Sequence, residues 1–405
     1  MKTNWKNQKV CVVGMGYIGL PTAAVLASRG HHIHGVEVNP EAVEIINAGK
    51  AHIVEPELDM LVQAGVQTGR LKAHAQPAEA DIFILCVPTP LGEDNAPGLS
   101  YVESATRSIC PFLREGNLII LESTSPPGTT EMIAKIVDEE IGMKPPQIYF
   151  AHAPERVLPG KILREVVEND RIIGGVDDAS TQACCEFYKT FVSGTLLRTN
   201  ARTAETAKLV ENAFRDVNIA FANELSLVAE HLDLDVWELI RLANHHPRVN
   251  ILQPGPGVGG HCIAVDPWFL VHRAPQVTKL IHTARLVNQH KPHWVVDRIC
   301  HRAQRFHKPR IACLGLAYKP DIDDLRESPA VEIVNALKQK IDGELLVVEP
   351  NITQHPDFNL VSLEDALSRA DIVVLLVAHS PFRQIPANQL AEKILIDTCG
   401  VLNKP

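Results

Sequence analysis

The sequence has little that would fit it for a membrane or for nucleic acid. Its 405 residues carry 39 Lys and Arg against 48 Asp and Glu, a formal net charge of -9, which provides no basic surface for nucleic acid or anionic lipid. Residues 1–8 are polar, and the apolar run at residues 10–13 is too short for a signal peptide or a membrane span. We therefore expect a cytoplasmic protein with neither partner.

The cysteines lack the paired spacing of a disulfide framework or a zinc site. Most of them lie inside apolar runs, where a free cysteine behaves as a small hydrophobe. This distribution suits a reducing compartment. The nine are Cys11, Cys86, Cys110, Cys184, Cys185, Cys262, Cys300, Cys313 and Cys399.

The length and the 45% of hydrophobic residues allow at least two cores. From Lys9 the pattern reads as strand, glycine turn, helix and strand. The apolar runs at residues 82–87 and 118–121 continue the alternation, which is typical of parallel strands with ligand loops at their carboxyl ends. The predicted fold class is α/β, beginning with a Rossmann-type NAD domain.

A helical region and a second α/β region follow. Residues 203–232 contain neither Gly nor Pro and have helical spacing, which predicts one long helix or two nearly continuous ones. Such a helix is suited to pairing across a dimer axis. From Arg310 the strand and helix alternation resumes. The predicted domains are residues 1–200, a central helical domain at 201–302, and a Rossmann-like domain at 303–405.

Gly14, Gly16 and Gly19 form a G-x-G-x-x-G motif between a predicted strand and a predicted helix. Glu37 ends the next strand, where a carboxylate can accept hydrogen bonds from the ribose hydroxyls of a dinucleotide. A carboxylate there repels a 2′-phosphate, so NAD is favoured over NADP. The alternative is a glycine turn kept for packing, with Glu37 solvated.

Cys262 lies in a glycine-rich segment, residues 244–268. A nucleophilic thiol needs access and a proton-transfer group, and we expect the glycines to admit a ligand while His261 or Asp266 moves protons. The alternative is a buried thiol with a structural histidine. A metal site using His245 and His246 lacks regular ligand spacing.

Lys208, Asn212 and Arg215 are spaced to share one face of the long helix. A cation, an amide and a guanidinium there could hold an oxyanion and an anionic substrate. The alternative is a solvated face with Glu205 and Glu211 nearby. The remaining polar candidates lie in Gly- and Pro-rich loops, where clusters of Arg and Lys are suited to phosphates. They are Glu155, Arg156, Tyr318, Lys319 and Arg326.

Seven strings together carry a resemblance that covers nearly the whole chain. They are GMGYIGLPTA, VPTP, ESTSPPGTT, APERVLPG, KLVENAFRDVNIAFANELS, HPRVNILQPGPGVGGHCIAVDPW and GLAYKPDIDDLRESPA. In this order they resemble the UDP-sugar 6-dehydrogenase family. The string around Cys262 is more similar to members that act on UDP-N-acetyl-D-mannosamine than to those that act on UDP-glucose.

The resemblance implies a four-electron oxidation, in which a 6-hydroxymethyl group becomes a carboxylate while two NAD molecules are reduced. Cys262 would attack the intermediate aldehyde to form a thiohemiacetal, and oxidation would leave a thioester for hydrolysis. A product used in surface polysaccharide, such as enterobacterial common antigen or a capsule, is expected, and the sequence leaves the pathway open.

The resemblance also implies roles for individual residues, and a homodimer in which Arg248 reaches the neighbouring subunit's site. The catalytic set is Cys262, Lys208, Asn212, Asp266, Glu155 and Thr124. The cofactor set is Gly14, Gly16, Tyr17, Ile18, Gly19, Glu37, Thr89 and Thr124. The substrate set is Arg156, Val157, Lys208, Asn212, Arg215, His246, Arg248, Gly259, Tyr318, Lys319 and Arg326. No metal is expected.

The sequence departs from the family pattern at two positions. Glu37 stands where the family commonly has Asp, and Cys399 where close relatives have a basic residue. Three other functions stay open. They are a UDP-N-acetylglucosamine 6-dehydrogenase, a two-electron dehydrogenase of the 3-hydroxyacid or 6-phosphogluconate type, and an NAD-responsive binding protein without turnover.

Overall fold

A computed structural model describes residues 5–145, 147–158 and 160–402. The chain divides into two compact units, the first ending at Val210 and the second starting at Glu211. The division falls within one long helix. The limits predicted for three domains stay a prediction.

The first unit is built on an eight-stranded sheet in the order β3-β2-β1-β4-β5-β6-β7-β8. All neighbours are parallel except β6 and β7. The strands are β1 Lys9–Val13, β2 His32–Val36, β3 Leu71–His74, β4 Ile82–Leu85, β5 Leu118–Leu121, β6 Tyr149–His152, β7 Arg171–Gly175 and β8 Leu196–Asn200. Because the chain leaves β1 towards β3 and returns to β4 beside β1, the strand order reverses between β1 and β4.

Helices cover both faces of this sheet. Alternate residues of β1 enter two different cores, Val10 and Val12 on one side and Cys11 and Val13 on the other, so the central strands are apolar throughout. The helices are α1 Gly19–Ser28, α2 Pro40–Asn47, α3 Leu58–Gln67, α4 Ser100–Ile109, α5 Thr129–Ile141, α6 Ile162–Glu168 and α7 Asp178–Tyr188.

The long helix is continuous. It is α8, Ala201–His231, and its lack of Gly and Pro over 31 residues accounts for the absence of a break. The prediction of a long central helix is confirmed. Three more helices follow before the second sheet, α9 Val236–Ala243, α10 Asp266–Arg273 and α11 Lys279–Ala303.

The second unit ends in a parallel four-stranded sheet in the order β10-β9-β11-β12. Its strands are β9 Arg310–Leu314, β10 Glu344–Val348, β11 Ile372–Leu375 and β12 Ile394–Asp397, and its helices are α12 Pro329–Lys340 and α13 Leu363–Arg369. Two cores pack against opposite faces of β9, one around Ile311 and Cys313 and the other around Ala312 and Leu314. The predicted α/β class, with a helical middle, is confirmed.

Candidate functional site

The glycine turn after β1 is held by packing at two positions and is open at a third. Gly14 has φ +93°, and a Cβ there would lie 2.7 Å from the carbonyl oxygen of Cys86. A Cβ on Gly19 would lie 1.8 Å from the carbonyl oxygen of Gly14. Nothing lies within 4 Å of a Cβ on Gly16. The exposed Tyr17 and the half-buried Ile18 lead into α1, so open backbone meets a helix N-terminus beside the switch point.

Glu37 lies against this turn. Its carboxylate accepts hydrogen bonds from the backbone N–H of Met15 (3.2 Å) and of Asn39 (3.0 Å). The side chain is half-buried, and its charge disfavours a 2′-phosphate. The Glu at this position therefore keeps the carboxylate that the family's Asp would supply.

The loops after β4 and β5 are bound to each other. Thr89 donates its hydroxyl to the carbonyl of Thr124 (2.6 Å), and Ser123 donates to the carbonyl of Val87 (2.7 Å). Both threonines are half-buried. The turn after β1 and these two loops thus lie at the carboxyl ends of neighbouring strands, where α/β sheets bind ligands.

Glu155 follows β6 and is buried. Its Oε1 accepts from the backbone N–H of Arg156 (2.7 Å), and its Oε2 lies 2.6 Å from Nη2 of Arg171. The guanidinium of Arg156, a predicted substrate residue, donates a hydrogen bond to the carbonyl of Asp170 in the same unit. The half-buried Val157 packs against the core.

Glu205 fixes the start of α8 to the N-terminus of α5. Its carboxylate accepts from the backbone N–H of Gly128 (2.6 Å) and from the N–H and hydroxyl of Thr130 (2.7 and 2.6 Å). Burial raises the pKa of Glu205, although the bonds from Thr130 oppose this effect. Glu205 is fully buried, so the alternative of a solvated face is wrong for it. Lys208, one turn further, is half-buried.

Three of the predicted catalytic residues lie together in the second unit. Asn212 on α8 donates its amide to the carboxylate of Asp266 (2.6 Å), and both side chains are buried. Asp266 begins α10, and its N–H donates to the carbonyl of Cys262 (2.9 Å). Arg215, on the same helix as Asn212, is exposed. The Cys262 loop is therefore tied to the carboxylate and the amide that were expected to act with the thiol.

The glycines beside Cys262 accommodate Tyr318. A Cβ on Gly259 would lie 2.8 Å from the Cβ of Tyr318, and a Cβ on Gly260 would lie 2.8 Å from its ring. Tyr318 thus packs against both glycines, and the expectation that they admit a ligand to the thiol stays a prediction. Burial, Asp324 and Cys262 raise the pKa of Tyr318.

The remaining predicted substrate residues lie on exposed segments of the second unit. Arg326 bonds to Asp324 (2.6 Å) and its carbonyl accepts from Gly260 (3.2 Å), while Lys319 is exposed. His246 and Arg248 are exposed after α9, where the N–H of Arg248 donates to the His246 ring (3.3 Å).

A buried polar network, missed by sequence reasoning, supports the Cys262 loop. Asn223 accepts from the N–H of Gly255 (2.9 Å) and donates to Asn288 (2.8 Å). Asn288 donates to Asp216 (2.8 Å), which also lies 2.6 Å from Arg285. Sequence periodicity does not reveal this network, because its hydrogen bonds join residues on three separate segments, α8, α11 and the Cys262 loop.

Eight of the nine thiols have a raised pKa, with burial as the main cause. They are Cys11, Cys86, Cys110, Cys184, Cys185, Cys300, Cys313 and Cys399. Cys399 lies near the carbonyl of Leu376 (3.4 Å), and its pKa is raised to about 12. Cys262 is half-buried.

Within the described ranges, no three His, Cys, Asp or Glu side chains are arranged to hold a metal ion. The same ranges contain no helix with both the length and the apolar character needed to cross a bilayer.

The open turn at Gly16, the helix start behind it and the carboxylate of Glu37 fit a dinucleotide without a 2′-phosphate. Together with the doubly wound sheet they define an NAD-binding enzyme fold.

Comparisons with known proteins agree with an NAD-binding enzyme. Models of the UDP-glucose/GDP-mannose dehydrogenase family match over three segments, the NAD binding domain at residues 8–192, the central domain at 202–290 and the UDP binding domain at 312–404. The chain therefore belongs to this family. The prediction of an NAD-dependent UDP-sugar dehydrogenase is confirmed.

Curated relatives carry two different substrate names. The chain is 55% identical to an NDP-N-acetyl-D-galactosaminuronic acid dehydrogenase of Ralstonia solanacearum, over 97% of this chain and 96% of the relative. It is also 55% identical to a UDP-N-acetyl-D-mannosamine dehydrogenase of Campylobacter jejuni, over 94% and 98%. The solved structure of a UDP-D-ManNAc dehydrogenase from Pyrococcus horikoshii has a TM-score of 0.90 at 39% identity, covering 98% of this chain and 96% of that chain.

Proposed function

We propose that the chain oxidises the C6 hydroxymethyl group of UDP-N-acetyl-D-mannosamine to a carboxylate. One sugar alcohol, one water and two NAD⁺ give one carboxylate, two NADH and three protons. The observation that carries the proposal is the bonding of Asn212, Asp266 and the Cys262 backbone at the start of α10.

The cofactor would be held by Gly14, Gly16, Tyr17, Ile18 and Gly19, with Glu37 on the ribose and Thr89 and Thr124 at the neighbouring loops. NAD supplies the hydride acceptor for both oxidations. The open backbone at Gly16 supports this assignment, because a pyrophosphate needs close approach to N–H groups.

Cys262 would hold the aldehyde covalently between the two oxidations. Its thiolate adds to the aldehyde carbon to form a thiohemiacetal, loss of a hydride gives a thioester, and water releases the thiol and the carboxylate. Lys208 and Asn212 would stabilise the oxyanions, and Asp266, Glu155 and Thr124 would manage protons and water. The bond from Asn212 to Asp266 keeps the amide and the carboxylate in one place.

The UDP-sugar would contact the substrate residues that the resemblance implies, and the assembly would be a homodimer. Phe214, Phe221 and Val228 support the dimer, since their spacing places them on one side of α8 and they are 68%, 53% and 44% exposed. Arg248 would reach the partner's site. The remaining substrate contacts would come from Arg156, Val157, Arg215, His246, Gly259, Tyr318, Lys319 and Arg326.

The test is NADH formed per sugar consumed, with limiting UDP-N-acetylmannosamine, UDP-N-acetylgalactosamine, UDP-N-acetylglucosamine or UDP-glucose. The galactosamine arm is needed because relatives of equal identity carry the two names. We expect two NADH with the mannosamine compound. Two NADH with another sugar alone would change the substrate, and one NADH with every sugar oxidised would exclude the thioester mechanism.

Cys262→Ser provides the matched variant. We expect it to bind NAD and UDP like the unchanged protein while forming no acid. Full acid production by Cys262→Ser would contradict the covalent mechanism, whichever sugar is oxidised.

A further inference from the structure

An almost completely buried arginine, Arg171, lies beside Glu155. Nη2 of Arg171 lies 2.6 Å from Oε2 of Glu155, and the two side chains are 2% and 5% exposed. Arg171 is the first residue of β7, and its backbone N–H donates to Thr195 (2.8 Å), so strand pairing fixes the origin of the side chain.

The rest of the guanidinium is poorly satisfied. Nη2 makes a long bond to the carbonyl of Val166 (3.3 Å), and the Cζ lies 5.6 Å from the ring centre of Tyr188. Its Nε and Nη1 have no hydrogen-bond partner among the described residues. Two unused N–H donor groups in a core are costly, and an apolar side chain would pack there more cheaply. The ion pair with Glu155 is thus the main interaction that this arginine provides.

A second carboxyl group shares the cluster. Glu122 accepts from the Tyr188 hydroxyl and lies 3.4 Å from the Cys86 thiol. Burial raises the pKa of Glu122, although the nearby Arg171 opposes this shift. The pKa of Arg171 is itself raised, because its anionic neighbours, Glu155 foremost, outweigh the burial of the guanidinium. Arg171 therefore interacts with two buried carboxyl groups, and its close ion pair is with Glu155.

We propose that Arg171 is a positioning residue for the oxidation, supplying the positive charge that holds the Glu155 carboxylate in one orientation as a proton acceptor. This inference rests on the proton-transfer role proposed for Glu155. Arg171 lies beneath the loop that carries Glu155 and acts through that carboxylate alone.

The first test compares Arg171→Met and Arg171→Lys with Arg164→Met, a control that removes an exposed arginine paired with Glu168. The kcat for NADH formation is measured against pH with saturating NAD and the oxidised UDP-sugar. Without the cation, the carboxylate ionises less readily. We expect kcat near pH 7 to fall at least tenfold in Arg171→Met, the acidic limb of the profile to move upward by about one pH unit, and the KM for NAD to stay within twofold.

Arg171→Lys keeps the charge and should give a smaller shift in the same direction, and Arg164→Met should give none. An unmoved acidic limb in folded Arg171→Met would overturn the inference. If Arg171→Met does not fold, Arg171→Gln, which also lacks the charge, carries the same test, and an unmoved limb there is equally decisive.

A double-mutant cycle separates positioning from general damage. Once Glu155→Gln has removed the carboxylate, adding Arg171→Met should lower kcat by less than twofold. A full multiplicative loss would mean that Arg171 acts elsewhere. The thermal stability lost in Arg171→Met should be partly restored by Glu155→Gln, because the unpaired buried charge is gone.

The same measurements distinguish the two levels of the proposal. No NADH from the unchanged protein with any UDP-sugar would refute the proposed function. Two NADH per sugar together with an unaltered kcat and pH profile in Glu155→Gln would leave the oxidation standing and overturn the assignment of Arg171.

Discussion

In both α/β regions a glycine with positive φ follows the first strand and donates its N–H to the end of the second. Gly14 donates to Val36 (2.9 Å), and Gly315 donates to Val348 (2.8 Å). In both, a glutamate follows the second strand and accepts from the N–H after that glycine, Glu37 at 3.2 Å and Glu349 at 2.7 Å.

The two carboxylates then differ in what surrounds them. Glu37 is half-buried and accepts from two backbone groups. Glu349 is buried and accepts from backbone N–H groups of Leu316, Ala317 and Asn351. Its Oε2 also lies 3.0 Å from Nε2 of the buried His379.

The second turn is closed to a ligand, because His379 occupies its carboxylate. Its Nδ1 accepts from the N–H of Asp321 (2.8 Å), so the proton lies on Nε2, which donates to Glu349. The first turn enters α1 at Gly19, whereas no helix starts after Gly315 until Pro329. A glycine and an acid at these positions are therefore insufficient for dinucleotide binding, which also requires an open carboxylate and an immediate helix N-terminus.

Among the substitutions that test the comparison of Glu37 with Glu349, we expect Glu349→Gln to have the largest effect, and this effect is on stability. Both oxygens of Glu349 accept from N–H groups, so either orientation of the amide places donor against donor. We expect the free energy of unfolding to fall by about 3 kcal/mol, measured by urea denaturation. The matched change Glu37→Gln should cost less than about 0.5 kcal/mol. Equal losses would remove the distinction between the two carboxylates.

Acid should reduce the stability difference between the natural protein and Glu349→Gln. Burial alone would raise the pKa of Glu349, but the bonds from His379 and the backbone lower it to about 2 from 4.5. The resulting stabilisation is complete above pH 4.5 and is lost as pH falls towards 2. We expect the difference to shrink by about 2 kcal/mol between pH 5 and pH 3. A stability difference that does not change with pH would contradict the lowered pKa assigned to Glu349.

Glu37→Gln should act on cofactor binding. Loss of the charged acceptor at the ribose should raise the KM for NAD by about tenfold to thirtyfold, or about 1.4–2 kcal/mol. Discrimination against NADP should weaken as well. Initial rates with each cofactor provide the measurement, and an unchanged KM would place the ribose elsewhere.

Gly16→Ala should have the smallest effect. The added methyl meets nothing within 4 Å in the chain itself, so the melting temperature should not fall. We expect a threefold to tenfold rise in the KM for NAD, about 1 kcal/mol, because the methyl lies where a pyrophosphate must approach. A drop in stability with unchanged KM would assign Gly16 to packing.

Local patterns predicted the elements that depend on nearby residues. The long helix follows from its composition, and the turn at Gly14 with the acid at Glu37 follows from spacing within one βαβ unit. Asn212 and Asp266 were expected to act together through the resemblance, and their direct bond is found.

Contacts between distant segments were not predictable in this way. Nothing in the sequence around Gly259 indicates that Tyr318 packs against this glycine. The alternative of a solvated helix face included Glu205, yet the N-terminus of α5 buries this side chain. Sequence patterns did not single out Arg171, and only the folded sheet brings it to Glu155. Periodicity reports which side of an element is apolar, but it does not identify the partner across the core.

The raised pKa of eight thiols makes the protein a natural single-site target for covalent labelling. Alkylating agents react with thiolates, and burial disfavours that form at eight of the nine cysteines, whereas Cys262, the proposed nucleophile, is half-buried. Iodoacetamide near neutral pH should therefore add a single carbamidomethyl group per folded chain. Mass spectrometry of the intact protein would then count active subunits, and protection by a bound nucleotide sugar would report occupancy without any turnover.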